Sequence, residues 1–309
     1  LSIRQSSGMY VPANPGGGDV DQDRRAGTVS TLARAIVHAA NAGARVINLS
    51  VVACIPTLKP VDQTTLGAAV RYAARDKDAV LIAAAGNTAN PGCAQNPDID
   101  ATDAADPRNW DQVVTVSTPA WFSDYVLAVS ATDAAGQPAV DESGREISLA
   151  GPWVGVAAPG LFVEGVTEAG GIINATFDSQ KNMLKPMSGT SFSAAYVSGL
   201  AALIRGKYPT LPAAQVINRI TATAHSPAAV VDNRIGHGVI DPLAALNFDV
   251  PEVPQPRESV SRPLEPPPPA PPVDGRPKLI ALAGMGVLAV VLASVLGIGA
   301  MANARGGKR

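Results

Sequence analysis

The stretch "LARAIVHAANAGARVINLSVV", residues 32–52, joins a helix pattern directly to a strand pattern. In its first part, Leu32, Ile36 and Ala39 recur at the spacing of one helix face, with charged and polar residues opposite them. Its last part, residues 44–52, is a nearly continuous apolar run, as expected for a parallel strand that is covered on both faces. The stretch therefore predicts one helix and one buried strand of an α/β fold.

The same alternation continues along the chain. Further apolar runs predict strands at residues 79–86, 113–117, 125–132 and 153–159, and a second helix pattern lies at residues 66–73. Strand, helix and strand in this order predict an α/β fold, with a parallel sheet and helices on both faces. The segment at residues 11–27 is too rich in Gly and Asp for a regular element and is interpreted as a surface loop or insertion.

Composition argues against several classes of function. The 309 residues carry a net charge of −2, so no basic excess indicates nucleic-acid binding. No cluster of His, Cys and Asp has metal-ligand spacing, and neither a metal nor a cofactor is predicted. Residue 1 is Leu, and no basic and then apolar leader precedes the first strand, so the chain reads as a processed or truncated product.

The C-terminal part differs from the globular part, residues 1–249. Residues 250–278 form a predicted linker, because 11 of the 27 prolines lie within it and proline can neither continue a helix nor help to pack a core. Residues 279–302 contain no charged side chain and predict a transmembrane helix about 36 Å long. A basic tail, residues 303–309, follows this helix.

The basic tail indicates how the protein is oriented in the membrane. Arg305, Lys308 and Arg309 follow the predicted membrane helix closely, and positive charge is enriched on the cytosolic side of membranes. We therefore expect the tail in the cytosol and the globular domain outside the cell membrane.

The two cysteines agree with export. Cys54 and Cys93 are the only cysteines, and each is predicted to lie in a loop that follows a strand. An even number of cysteines in an exported domain predicts one disulfide bond. A pair of buried thiols is the alternative.

A candidate nucleophile lies in "KPMSGTSFSAAYVSGLAALI", residues 185–204. Ser191 opens an apolar helix there, where the positive end of the helix dipole and free N–H groups favour a developing negative charge. The pattern Gly-Thr-Ser-x-Ser is not the nucleophile elbow of α/β-hydrolases, because Ser193 occupies the fifth position. A serine at this point also suits a simple helix N-cap, and the segment by itself does not decide between the two roles.

Two further segments support the catalytic reading. Asn87 follows the strand pattern of residues 79–86, at the carboxyl end where parallel sheets bind ligands, and its amide suits an oxyanion donor. Residues 50–52 end the first strand and suit pairing with an extended peptide. The alternatives are a turn-forming role for Asn87 and a plain core strand for residues 50–52.

The three segments, in this order, resemble the subtilisin-like serine proteases. The turn Ala158-Pro159-Gly160 and the closing segment "GHGVIDPLAAL", residues 236–246, add to the resemblance, which covers about residues 1–248. The resemblance implies that Ser191 is the nucleophile and that Asn87 is the oxyanion donor. It implies that substrate is bound by pairing with Ser50, Val51 and Val52, by a specificity pocket lined by Ala84, Ala85 and Gly86, and by Gly189 and Thr190.

A narrower resemblance is to the mycosins, the membrane-anchored subtilisin-like proteases of type VII secretion systems. It rests on "LARAIVHAANAGARVINLS", "VVTVSTPAWFSDYVLAVSATD", the proline linker and the C-terminal membrane helix. It implies a serine endopeptidase that acts on secreted proteins, lies outside the cell membrane and associates with the membrane secretion complex. The paired cysteines of the family fit Cys54 and Cys93.

The sequence departs from the family in its catalytic partners. The family's order is Asp, then His in a His-Gly-Thr context, then Ser, but His38, His225 and His237 all lie in other contexts and no Asp motif is found. Each of these histidines is interpreted as a solvated or structural residue. Two hypotheses stay open: a fragment of a protein with a full triad, or a native non-catalytic subunit that caps or stabilises the secretion complex.

The missing motifs carry an expectation for folding as well. The resemblance places the absent segment in the middle of the sheet. We therefore expect the chain alone to be inactive, with strand edges and the helix face of Leu32, Ile36 and Ala39 lacking their full cover.

Overall fold

The structure is a computed structural model in which contacts divide the chain into a compact unit, residues 1–255, and a second unit, residues 256–309. Only residues of the first unit are described below. The described residues are 1–3, 20–100, 102–103, 105–178 and 182–252.

The described residues alternate helices and strands. The helices are α1 (Val20–Asn41), α2 (Thr64–Arg71), α3 (Thr190–Lys207), α4 (Ala213–Ala222) and α5 (Pro242–Asn247), with a π-helical continuation of α2 at Tyr72–Asp76 and a 3-10 turn at Trp110–Gln112. The strands are β1 (Val46–Leu49), β2 (Ala53–Pro56), β3 (Val80–Ala84), β4 (Thr115–Thr118), β5 (Val126–Thr132), β6 (Val154–Pro159), β7 (Gly165–Val166), β8 (Ile172–Ile173), β9 (Ala175–Asp178) and β10 (Met183–Pro186).

A parallel sheet in the order β1-β3-β5-β6 forms the centre of the unit. Every residue of β3 and β5 is buried, which explains why their sequences are apolar without alternation. The predicted strands at residues 44–52, 79–86, 125–132 and 153–159 are confirmed by these four strands. Within the described residues, β1 is an edge strand, since it pairs with β3 alone.

The prediction that residues 113–117 form a parallel strand is wrong. They contribute to β4, which pairs antiparallel with β2 outside the main sheet, so that Ser117 lies opposite Cys54. The buried Asn96 anchors the start of β4, because its side-chain oxygen accepts the N–H of Thr115 at 2.9 Å. An apolar run indicates burial, but it does not indicate which strand it pairs with.

The interpretation of residues 11–27 as a loop is also wrong in its second part. Helix α1 begins at Val20, and residues 11–19 lie outside the described residues. Asp21 and Asp23 are among the first residues of α1. Acidic residues that resemble a loop by composition are therefore compatible with a helix start.

Helices cover both faces of the sheet. On one face, α1 packs against α2 and the sheet, and Leu32, Ile36 and Ala39 are only 1–7% exposed. The expectation that this helix face lacks its cover is therefore wrong. On the other face, α3 and α4 pack over β3, β5 and β6, with Val197 and Val216 fully buried.

Helix α3 exposes apolar side chains on its outer side. Its outer side exposes Tyr196 (46%) and Leu203 (58%), with small residues between them. A helix that is apolar on most sides is usually covered all round. Exposed apolar surface is therefore found on the outer side of α3, and not on α1 where we expected it.

The closing segment forms as the resemblance implies, with helix α5 after the two glycines. Gly238 has a φ of +113°, and a Cβ there would lie 1.8 Å from the carbonyl oxygen of His225. Only glycine fits this position.

None of the helices among the described residues combines the length and the apolar character needed to cross a membrane. The predicted membrane helix at residues 279–302 and the tail at residues 303–309 lie outside the described residues, as does the linker beyond residue 252.

Candidate active site

The segment before α3 crosses the carboxyl ends of the parallel strands. At one side, the N–H of Gly189 donates to the carbonyl of Gly160, just after β6, at 2.8 Å. At the other side, the hydroxyl of Ser191 donates to the carbonyl of Ser50, just after β1, at 3.3 Å. The candidate nucleophile therefore lies at the edge of the sheet where ligands bind in α/β folds.

Two glycines make this crossing possible. Gly189 has a φ of +141°, a conformation that side chains rarely adopt. At Gly160, a Cβ would lie 2.4 Å from the hydroxyl oxygen of Ser193 and 2.6 Å from Cβ of Ala131. The backbone therefore approaches α3 and β5 so closely that Gly160 has no room for a side chain.

Asn87 follows β3, and Thr190 orients its side chain. The backbone N–H and the hydroxyl of Thr190 both donate to Oδ1 of Asn87, at 3.1 and 3.0 Å. Because the oxygen is used twice, the Nδ2 amino group remains to donate elsewhere. A Cβ at Gly189 would lie 3.4 Å from this Nδ2, so the glycine also leaves space beside the amide.

A second donor lies beside Asn87. Ser191 is the second residue of α3, and its backbone N–H has no acceptor among the described residues. The positive end of the α3 dipole lies at the same point. The N–H of Ser191 and Nδ2 of Asn87, whose Oδ1 bonds the residue directly before Ser191, are thus two candidate oxyanion donors.

The prediction that residues 50–52 end the first strand is wrong, because they lie between β1 and β2 and belong to neither strand. Within the described part of the chain, the hydroxyl of Ser191 is the group that bonds their backbone. An extended segment with free N–H and carbonyl groups is suited to pair with a peptide as an added strand.

The residues predicted to line a specificity pocket lie in different places. The side chains of Ala84 and Ala85 are buried in the core on opposite faces of the sheet. Gly86 has a φ of +106°, and a Cβ there would lie 3.3 Å from the hydroxyl oxygen of Ser117 and 3.5 Å from Cγ1 of Val52. Gly86 therefore borders the substrate-pairing segment, whereas the two alanine side chains do not reach an open surface.

A disulfide joins Cys54 to Cys93, which confirms the predicted pairing. The prediction that both cysteines lie in loops is wrong for Cys54, which belongs to β2. The reason is that β2 begins directly after residues 50–52, so the loop there is too short to include Cys54. Cys93 lies six residues after Asn87. The bond therefore ties the segment after the candidate oxyanion donor to the strand after residues 50–52.

The described residues place no histidine nitrogen within hydrogen-bonding distance of the Ser191 hydroxyl. His38 is exposed and lines a surface groove of about 630 Å³ between α1 and α2, which contains none of the candidate site residues. Nε2 of His225 lies 3.2 Å from a carboxylate oxygen of Asp241. Burial, and then the nearby Arg108, lower the pKa of His237.

The described side chains also contain no group of three His, Cys, Asp or Glu residues that could hold a metal ion.

Two features of the site were missed by sequence reasoning. The role of Thr190 in orienting Asn87 was not predicted, although a hydroxyl directly before the nucleophile was visible in the motif. Asn48 and Ser198, which contact each other beside Ser50, were not singled out at all. Asn48 interrupts an apolar strand, and that polar interruption was the available signal.

The chain is similar in sequence to several known proteins. Residues 5–238 match the subtilase family, Peptidase_S8. Mycosin-2 of Mycobacterium tuberculosis is 52% identical over 308 residues, which cover 96% of this chain and 54% of that protein. Mycosin-5 of the same species is 49% identical, over 96% of this chain and 50% of that protein. The chain thus spans about half the length of the curated relatives it matches.

Solved structures are similar as well. The crystal structure of MycP1 with the N-terminal propeptide removed is 48% identical, with a TM-score of 0.69, and the match covers 74% of this chain and 70% of that one. A chain of the intact ESX-5 inner membrane complex is 48% identical, with a TM-score of 0.76, covering 96% and 67%. These matches confirm the subtilisin-like α/β fold with its parallel sheet. The chain therefore belongs to the subtilase family and, within that family, to the mycosins.

Proposed function

We propose that this chain is the nucleophile-bearing part of a serine endopeptidase that serves a type VII secretion system and cleaves secreted proteins. The observation that carries the proposal is the pair of donors beside Ser191, namely its own N–H and the Asn87 amide held by Thr190. A structural serine at a helix start does not need a second, oriented amide donor next to it. Family membership supports the same reaction.

The proposed reaction proceeds through an acyl-enzyme. The Ser191 oxygen attacks the carbonyl carbon of the peptide bond while a general base takes its proton, and the carbonyl oxygen becomes an oxyanion that Asn87 and the Ser191 N–H stabilise. Collapse of this intermediate breaks the C–N bond, and the amine leaves with a proton. Water then hydrolyses the ester and restores the hydroxyl. The base and the acid that orients it are proposed to come from a segment with the family's Asp and His-Gly-Thr motifs.

We propose that substrate pairs with residues 50–52, whose backbone groups are free of strand partners in the described structure. Gly86, Gly189 and Thr190 border this segment or the nucleophile. Ala84 and Ala85 are proposed to contribute through their backbone only, because their side chains are buried.

The test uses this chain preceded by an N-terminal segment with the two missing motifs, called the extended protein below. A fluorophosphonate probe should label Ser191 in the extended protein, and Ser191→Ala should abolish labelling. The 309-residue chain alone should label at least about ten-thousandfold more slowly, because loss of triad members costs several orders of magnitude in rate. An extended protein that folds and does not label would refute the enzyme proposal.

A non-catalytic subunit of the secretion complex is the second candidate. The observation that favours it is the lack of a histidine beside Ser191 among the described residues. The similarity to a chain of the ESX-5 inner membrane complex supports association with such a complex in either case. The secretion complex can be purified from cells that make the Ser191→Ala protein and from cells that lack the protein. Recovery of the complex from the first cells and not from the second would favour the structural role.

We also propose that the protein is anchored in the cell membrane by residues 279–302, after the linker at residues 250–278, with the domain outside and residues 303–309 in the cytosol. The uncharged run and the basic tail support this arrangement. Protease added to spheroplasts should digest the domain and spare a C-terminal tag. Loss of the tag while the membrane stays intact would contradict the orientation.

A further inference from the structure

Four polar side chains connect the end of β1 to one face of α3. Ser198 donates its hydroxyl to Oδ1 of Asn48 at 3.1 Å, and Nδ2 of Asn48 donates to the hydroxyl oxygen of Ser50 at 2.9 Å. The Ser50 hydroxyl in turn donates to the backbone carbonyl of Ser191 at 3.1 Å. We call these four residues, Asn48, Ser50, Ser191 and Ser198, the clasp.

The periods of a strand and a helix bring the clasp together. Asn48 and Ser50 are two residues apart, so their side chains project on the same side of the strand direction. Ser191 and Ser198 are seven residues apart, about two helical turns, and lie on the same helix face. The clasp therefore holds the first two turns of α3 against the end of β1.

The clasp has a direction. Nδ2 of Asn48 donates to the hydroxyl oxygen of Ser50 at 2.9 Å, and its Oδ1 lies 3.1 Å from the hydroxyl of Ser198, whose single proton is shared with the nearer carbonyl oxygen of Ala194 at 2.8 Å. Because the Ser50 hydroxyl accepts from that amino group, its single proton is available for the Ser191 carbonyl. A carboxylate at position 48 would instead attract the proton of Ser50, and the last bond would be lost.

The clasp ends at the candidate nucleophile. Ser50 and Ser191 are linked twice, since the hydroxyl of each donates to the carbonyl of the other. Ser50 also opens the segment that is proposed to pair with substrate. A misplacement of about 1 Å between nucleophile and substrate can cost on the order of a hundredfold in rate.

We infer that Asn48 is a positioning residue, which sets Ser191 relative to residues 50–52 by donating to Ser50. This inference rests on the proposed function. Asn48 itself touches neither the hydroxyl of Ser191 nor the two oxyanion donors among its described contacts. Within the substrate-pairing segment, Asn48 bonds only the side chain of Ser50, whereas substrate is proposed to pair with the backbone of residues 50–52, so its effect is expected in the rate of attack and not in substrate affinity.

The test compares Asn48→Asp with the unchanged extended protein. The aspartate keeps the size of the side chain and the acceptor for Ser198, but it lacks the donor for Ser50. The rate of fluorophosphonate labelling and the kcat for a peptide should each fall about tenfold, the value of one well-placed hydrogen bond, while KM stays within twofold. Ser198→Ala removes the contact with Oδ1 of Asn48 and a bond within α3 to the carbonyl of Ala194, but it keeps the bond from Asn48 to Ser50, and it should cost about threefold.

Asn218→Asp is the matched control. Asn218 lies on α4 and donates to the carbonyl of Pro251 at 3.3 Å, and none of its described contacts involves the clasp. This variant should label and cleave like the unchanged protein. Asn48→Asp labelling within twofold of the unchanged protein would overturn the inference, as would a rise in KM as large as the fall in kcat.

A second measurement does not depend on activity. Hydrogen exchange of residues 190–196 should be faster in Asn48→Asp than in Asn218→Asp, in the extended protein and in the 309-residue chain. Equal hydrogen-exchange rates at residues 190–196 in the two variants would overturn the inference that the clasp holds the start of α3. If the unchanged extended protein fails to label at Ser191, the proposed function fails, and the exchange measurement alone decides whether Asn48 positions the start of α3.

Discussion

Strands β1 and β3 have similar apolar sequences, yet their surroundings differ. β3 is paired on both sides and buried at all five positions. β1 is paired on one side, and its burial alternates, with Asn48 exposed. The candidate site combines the two, because Asn87 follows the enclosed strand and Ser191 contacts the end of the edge strand. The candidate oxyanion donor therefore follows the enclosed strand, whereas the candidate nucleophile lies at the margin of the described fold.

The enclosed side gives the largest expected effect. Changing Asn87 to Ala in the extended protein should lower kcat for peptide hydrolysis about 10²- to 10³-fold, because one of two oxyanion donors is lost. KM should change little, since residues 50–52 remain available to pair with substrate. Steady-state kinetics measure both values.

A matched control for Asn87 is Asn90, three residues later in the same turn and exposed. Asn90→Ala should keep kcat within about threefold, because it removes no donor from Ser191. If both variants lose activity equally, the whole turn, and not the Asn87 amide, would be the important feature.

The core below the site depends on a charged anchor. Asp78, just before β3, accepts from Arg205 of α3 at 3.0 Å and from the backbone N–H of Ala213 at 2.6 Å. Arg205 is only 7% exposed in its side chain, whereas Asp78 is 43% exposed. Changing Asp78 to Ala should destabilise the protein by about 2 kcal/mol, less than for a fully buried pair because water screens the carboxylate. Urea unfolding measures this difference.

The same anchor predicts a pH dependence. Burial acts to raise the pKa of Asp78, but its bonds to Arg205 and to Ala213 outweigh burial, and the net pKa is lowered. A carboxyl with a lowered folded pKa stabilises the protein above the unfolded pKa of about 4, and that contribution is lost as pH falls through the folded value. The difference in the free energy of unfolding between Asp78→Ala and the unchanged protein should therefore become smaller below about pH 4.

Asp98 provides the control for this anchor. It pairs with Arg234 at 2.9 Å, and the Asp98 side chain is 67% exposed. Asp98→Ala should cost less than about 0.5 kcal/mol, as expected for a surface ion pair. An equal loss in the two variants would show that the Asp78 anchor is no stronger than a surface pair.

The central fold was predictable because its signal is local. Runs such as residues 79–86 and 125–132 are apolar throughout, and burial on both faces is the usual reason. The pairing of β4 with β2 was not predictable, since it joins residues far apart in sequence, such as Cys54 and Ser117. The fold and the site were therefore less predictable wherever a contact joins residues that are far apart in sequence.

The same limit applied to the site. Ser191 and Asn87 stood out because small and polar residues interrupt apolar runs there, but the orientation of the Asn87 amide depends on Thr190, 103 residues away in sequence. The clasp links positions up to 150 residues apart. A single sequence contains no signal for such pairs beyond the polar residues themselves.

The smallest expected effect on stability is at Leu203, on the exposed outer side of α3. Leu203 and Leu200 lie three residues apart on α3, but Leu203 is 58% exposed and Leu200 is 3% exposed. In the 309-residue chain, Leu203→Ala should change the free energy of unfolding by less than about 0.5 kcal/mol, whereas Leu200→Ala should cost about 2–4 kcal/mol.

In the extended protein, Leu203→Ala should cost about 1 kcal/mol or more, if the added segment covers the outer side of α3. Urea unfolding at two protein concentrations separates this cover from self-association. In the 309-residue chain, Leu203→Ala could instead lower the free energy of unfolding as much as Leu200→Ala does, at both protein concentrations. That result would mean that the outer side of α3 is already covered. The contrast between the enclosed strand and the edge strand would then fail on that side of the sheet.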